Sequence, residues 1–83
     1  MTAPAPVLSH RDRAILKAVA GGTAELLGGE EPDLLVDGRC CCDQVAVRRL
    51  ARAGLITGAR PATAGRRVPA RLTVAGHREL LAG

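Results

Sequence analysis

The sequence predicts a small α+β domain built from three helices and two hairpins. Three observations predict it. Apolar residues recur at helical spacing in three short stretches. Between these stretches lie short extended runs punctuated by glycine and proline. The chain has 83 residues, which suits one domain, and no Phe, Tyr or Trp. Its core must therefore be filled by Leu, Val, Ile and Ala, and a chain of this size buries only about 60–65% of its unfolded surface.

Met1 to Leu8, with two prolines and small residues, reads as a flexible tail ahead of a domain over residues 9–83. The first helix is expected over His10–Ala20. Ser9 stands three residues before Asp12, a variant of the capping box. Ala14, Ile15, Ala18 and Val19 form its apolar stripe, and Gly21 and Gly22 stop it. A hairpin follows, with strands near Ala24–Leu27 and Leu34–Asp37, and a helical turn at Ala24–Leu27 is the competing reading. Asp37-Gly38 is a turn signal.

The second helix is expected over Asp43–Ala53. Asp43 or Cys42 caps its start, and Gly54 ends it in the left-handed conformation. Ala46, Val47, Leu50 and Ala53 share one face; Gln44, Val45, Arg48, Arg49 and Arg52 share the other. Two further strands, Leu55–Arg60 and Arg66–Leu72, are joined by a connection containing PATAG. Thr73 then caps a closing helix, with Leu80 and Leu81 turned inward and Gly76 weakening it by about 1 kcal/mol.

The charges are segregated. Glu25, Glu30, Glu31, Asp33, Asp37 and Asp43 crowd the stretch before the second helix. From Gln44 to Arg78 there are eight arginines and no acid, in a chain of net charge +4. The natural partner of such a block is a polyanion, duplex DNA above all. A solvated face in an arginine-rich proteome is the bland alternative. The lack of aromatic residues argues against single-strand and RNA modules that stack bases on rings.

At this point the residues carry a likeness. A helix running into LARAGLI, a basic hairpin and then LTVAGHRELL resembles the second half of a winged helix-turn-helix domain of the kind found in small bacterial transcription regulators. The matching residues are Leu50, Gly54, Leu55, Ile56, Leu72, Thr73, Gly76 and Leu80. The family places another helix before the recognition helix, and here Glu25 to Cys42 holds glycines and a proline instead. The chain is thus either a variant winged helix with a hairpin in that slot or a fold that borrows the second half alone. The resemblance implies that helix 43–53 enters the major groove and that a wing over residues 58–67 lies on the backbone. Gln44, Arg48 and Arg49 would then reach base edges, and Arg52, Arg60, Arg66 and Arg67 would touch phosphates. So few phosphate contacts bind weakly at physiological salt, which makes a homodimer the natural working unit.

Cys40, Cys41 and Cys42 are consecutive, a poor spacing for one tetrahedral metal. They read as small hydrophobes at a strand end, with a thiol or metal sensor as a third functional reading. His10 and His77 read as surface residues, and the acidic patch as a solvated loop. No nucleophile triad, phosphate loop or paired-histidine motif occurs, so no enzyme activity and no cofactor is expected. No apolar run reaches the roughly 18 residues of a membrane span, and the N-terminus lacks a signal-peptide pattern, so a cytoplasmic location is expected. The leading expectation is a small duplex-DNA-binding protein, a transcription regulator or mobile-element accessory factor. The alternative is a winged-helix protein-interaction module, an adaptor or inhibitor that binds a protein partner and no DNA.

Overall fold

In the computed structural model, residues 8–29, 33–40 and 43–82 are described. The element order is α1 (His10–Ala20), β1 (Ala24–Leu27), β2 (Asp33–Val36), β3 (Arg39–Cys40), α2 (Gln44–Arg52), β4 (Ile56–Gly58), β5 (Arg67–Leu72) and α3 (Val74–Ala82). The strands form one antiparallel sheet in the order β3-β2-β1-β5-β4. The fold is α+β, with α1 and α3 packed on β5 and α2 on β2 and β4 around one apolar core. The tail expected over residues 1–8 lies outside the described residues except for Leu8, which packs against the core.

Helix α1 starts where the capping residues place it. The Asp12 N–H donates to Ser9 Oγ at 3.1 Å, and Asp12 Oδ2 accepts the Ser9 N–H at 2.9 Å. Its buried residues Ile15, Leu16 and Val19 recur at helical spacing and enter the core. The β1–β2 hairpin forms as a pair of strands, with Leu26 opposite Leu34 and Ala24 opposite Val36. Asp37 and Gly38, with φ of 54° and 79°, turn the chain into β3, a two-residue strand the sequence pattern did not announce. The apolar core joins Leu16, Leu26, Leu34, Val47, Leu50 and Val68 with smaller neighbours.

The strand expected over Leu55–Arg60 pairs only from Ile56 to Gly58. Pro69 is the reason. The Ala59 N–H donates to the Pro69 carbonyl at 2.8 Å, and proline has no N–H with which to return the bond. The ladder stops there, and residues 59–66 form a loop.

Four of the residues singled out in the second half of the chain, Gly54, Leu55, Thr73 and Gly76, meet at one point. Thr73 Oγ1 donates to the Gly54 carbonyl and accepts the Gly76 N–H, while the Thr73 N–H donates to the Leu55 carbonyl. Gly54 has φ of 78°, as a left-handed helix end requires. Gly76 is buried, and a Cβ there would lie 2.2 Å from the Leu55 carbonyl oxygen. Gly76 therefore weakens the helix in isolation but is the residue that lets α3 dock. Three expected inward residues are exposed instead: Ala14 on α1, Ala53 just past α2, and Leu81, the neighbour of Leu80, which does pack against the core.

Candidate nucleic-acid interface

Helix α2 is the element on which the candidate site is built. Its N-cap is Asp43, whose Oδ1 accepts the Ala46 N–H at 2.9 Å and whose Oδ2 accepts from Arg11 Nη1 at 3.2 Å. The Ala46 hydrogen bond first, and the Arg11 contact second, hold the Asp43 carboxyl below the usual carboxylate range. Ala46, Val47 and Leu50 are buried against the sheet. The opposite face presents Val45, Arg48, Arg49 and Arg52 along a shallow groove. Val45 is 75% exposed there, an apolar patch among the guanidinium groups.

Three residues expected to read bases make internal contacts. Gln44 Oε1 accepts the Leu34 N–H at 2.9 Å, and its Nε2 donates to the Leu34 carbonyl at 3.0 Å. The carboxamide thus stands in for a strand residue on the edge of β2. The two-point contact that an adenine would need is made with the backbone. Arg48 Nη2 donates to Asp33 Oδ1 at 2.9 Å, with both side chains about one-third exposed. Arg49 Nη2 donates to Asp12 Oδ1 at 2.5 Å; its own side chain is 58% exposed while that of Asp12 is fully buried. Arg52, at the end of α2, is exposed.

The remaining arginines do not gather on the same surface. Side chains alternate along β5: Val68, Ala70 and Leu72 face the core, and Arg67, Pro69 and Arg71 face the other way. Arg67 and Arg71 therefore leave the sheet on the side opposite the helices. Arg60 stays on the helix side, in a cleft whose walls include Leu26, Ala51, Ile56 and Ala62. The loop carrying Arg60 and Arg66 is pinned at its base. The Gly28 N–H donates to the Arg66 carbonyl at 2.8 Å, and the Gly65 N–H donates to the Gly28 carbonyl at 3.1 Å. A Cβ on residue 28 would lie 2.2 Å from the Thr63 carbonyl oxygen. The arginine block, continuous in sequence, is divided between two faces in space.

Other residues singled out by sequence lie apart from this groove. Cys40 is exposed on β3 and does not pack inward; Cys41, Cys42, Glu30 and Glu31 lie outside the described residues. His10 and His77 are exposed. Among the described residues no helix is long and apolar enough to cross a membrane. Sequence reasoning missed the partners. Asp12 reads as a cap, and nothing local marks it as the counter-ion of an arginine 37 positions away. Nor does it mark Arg13, whose guanidinium donates to the Glu79 and Leu80 carbonyls at the end of α3. No family model matches the chain, and neither a curated protein nor a solved structure shows significant similarity to it.

Proposed function

We propose that the chain is a small duplex-DNA-binding protein of winged-helix-like build, acting as a transcription regulator or mobile-element accessory factor. The observation that carries this reading is the α2 groove. Arg48, Arg49 and Arg52 line one open surface, where Asp33 holds the Arg48 guanidinium and Asp12 that of Arg49. Such a surface offers anchored donors to phosphates and to base edges. Val45, between them, suits a thymine methyl group. The order α2, β4, β5, α3 supports the likeness to a winged helix, with β2 and β3 in the slot before α2 that a helix fills in that family.

Within this reading the roles divide by geometry. Arg48 and Arg49 are the base readers and Gln44 is a clamp on β2. Arg52 and Arg60 contact phosphates on the helix side. Arg67 leaves from the opposite face of β5 and contributes least. The test is binding of duplexes selected from a random pool, followed across salt. Replacing Arg48 and Arg49 together with alanine should abolish preference among sequences. Arg60→Ala should weaken all duplexes alike and lower the salt slope by about one unit, while Arg67→Ala should leave it unchanged. Absence of any shift with duplex DNA at about 50 mM salt would overturn the reading. A second reading is favoured by the fact that these guanidinium groups already donate to the carboxylates of Asp12 and Asp33. The groove would then take an acidic segment of a protein partner. A stoichiometric partner, with no retention on a DNA resin, would establish it.

A further inference from the structure

The buried carboxylate under α2 does more than cap a helix. Asp12 is the one charged residue buried in the core among the described residues. Capping requires one oxygen, and Oδ2 supplies it to the Ser9 N–H. A capping carboxylate ordinarily sits at the surface, where water solvates its second oxygen. Here the second oxygen is buried too and accepts from Arg49, 37 residues along the chain. A buried, hydrogen-bonded carboxylate is a fixed point, because it has no freedom to follow the group it binds.

The consequence falls on Arg49. Its guanidinium is a rigid plane with five N–H donors. Fixing one nitrogen on an immobile oxygen fixes much of the plane's orientation, and the side chain is still 58% exposed. The rotamer freedom an arginine ordinarily loses on binding is surrendered in folding instead. The neighbouring pair differs. Asp33 is 37% exposed and stands at the first residue of a strand, so Arg48 is tied to a partner that is itself open to water.

We infer that Asp12 is a positioning residue: it sets the Arg49 guanidinium in advance for a two-point contact with a planar pair of acceptors, the O6 and N7 edge of guanine in the major groove. This rests on the DNA-binding reading and goes beyond it by separating orientation from charge. If Asp12 only neutralised Arg49, removing its charge would strengthen binding to every duplex. If it only held α1 in place, removing it would lower stability and weaken all duplexes in step.

The experiment uses the full chain, a duplex selected by it from a random pool and a shuffled duplex of equal length. Affinities are measured across salt for the unmodified protein, Asp12→Asn, Arg49→Ala and the two together, with thermal unfolding alongside. Asparagine still accepts the Ser9 N–H but then turns an amide NH2 toward Arg49. The expected result is about a tenfold loss on the selected duplex, little change on the shuffled one and an unchanged salt slope, since every cation remains. Asp12→Asn should add nothing once Arg49 is alanine. Should Asp12→Asn fail to fold, Asp12→Glu decides the matter: it keeps the charge but displaces the oxygen by one methylene, and should show the same selective loss, as should Arg49→Lys, which keeps the charge and loses the fork. Tighter binding by Asp12→Asn, equal losses on both duplexes, or an Arg49→Lys protein as selective as the original would overturn the inference alone. No shift of any duplex by the unmodified protein would overturn it together with the reading on which it rests.

Discussion

The arginines of α2 and those of the β4–β5 segment belong to one acid-free stretch of sequence, yet the fold treats them differently. Arg48 and Arg49 are tied to carboxylates contributed by β2 and α1. Arg60, Arg66 and Arg67 are exposed and form no ion pair among the described residues. The first group is ordered by tertiary contacts and is suited to specificity, which depends on direction. Of the second group, Arg60 on the loop is, on the proposed reading, suited to affinity, which depends on counterion release and falls with salt, whereas Arg67 on the outer strand face is turned away from that surface. Density of charge along a chain thus says little about where a site is. What separates the two groups is the presence of acids elsewhere in the sequence that fold against one of them.

The sharpest way to break the comparison is to free the loop without touching α2. Gly28 is where the loop is pinned, and any side chain there meets the Thr63 backbone carbonyl. Gly28→Ala should cost about 3 kcal/mol, the upper end for overpacking, because a backbone group rather than a flexible side chain stands in the way. The denaturant midpoint should fall accordingly. A protease that cuts after arginine should attack Arg66 faster than in the unmodified protein, whereas Arg60 is protected by Pro61 in both. The α2 groove should keep its selectivity, since nothing in its ion pairs passes through Gly28. If selectivity were lost as well, the two regions would be one cooperative unit.

A middle-sized effect is expected at Gln44, where sequence and structure assign different work. Leucine has a similar volume but offers neither bond to the Leu34 backbone. Gln44→Leu should cost about 1–2 kcal/mol, the usual result of leaving a part-buried N–H and C=O without partners. Preference among selected duplexes should remain. Loss of preference at one base pair with stability unchanged would return Gln44 to the role of base reader.

The elements of the fold were legible in the sequence to the extent that their causes were local. Helix α1 follows from Ser9, Asp12 and an apolar stripe, and its bounds agree with the pattern. The β1–β2 hairpin follows from two short apolar runs parted by glycines. What was not legible depends on contacts between distant residues. The single turn at Asp37-Gly38 gave no sign that Arg39 and Cys40 would pair with β2. The early end of β4 is set by Pro69, eleven residues beyond Gly58 in the chain and placed beside it only by the hairpin register. The candidate site was half legible for the same reason. Helical period alone put Gln44, Val45, Arg48, Arg49 and Arg52 on one face, and of these the groove keeps all but Gln44, which turns to the Leu34 backbone. Period-two alternation on β5 would have put Arg67 and Arg71 on the face away from the core. The roles of Asp12, Asp33 and Gln44 as partners to that face come from tertiary structure alone.

The smallest expected effect concerns acid, and it probes the α2 side by itself. Asp43 caps α2 and contacts Arg11, and both interactions favour its charged form, so its carboxyl titrates below the usual range. The sign follows from linkage. A carboxyl whose folded value is depressed adds stability that is complete above its unfolded value, near 4, and is lost as pH falls through the folded value. Stability measured by denaturant should therefore be unaffected by this group from neutrality down to about pH 4.5, and decline below that. Asp43→Asn keeps a good N-cap but has nothing to titrate. Its decline below pH 4 should be shallower than that of the unmodified protein, and the difference should persist in part at high salt. Salt screens the exposed Arg11 contact, but the Ala46 hydrogen bond, which is the larger cause, is short-ranged. Should the two proteins lose stability in parallel, Asp43 would play no part in the acid sensitivity of α2. The anchoring of that helix would then rest on Gln44 and on the two ion pairs that fasten its arginines.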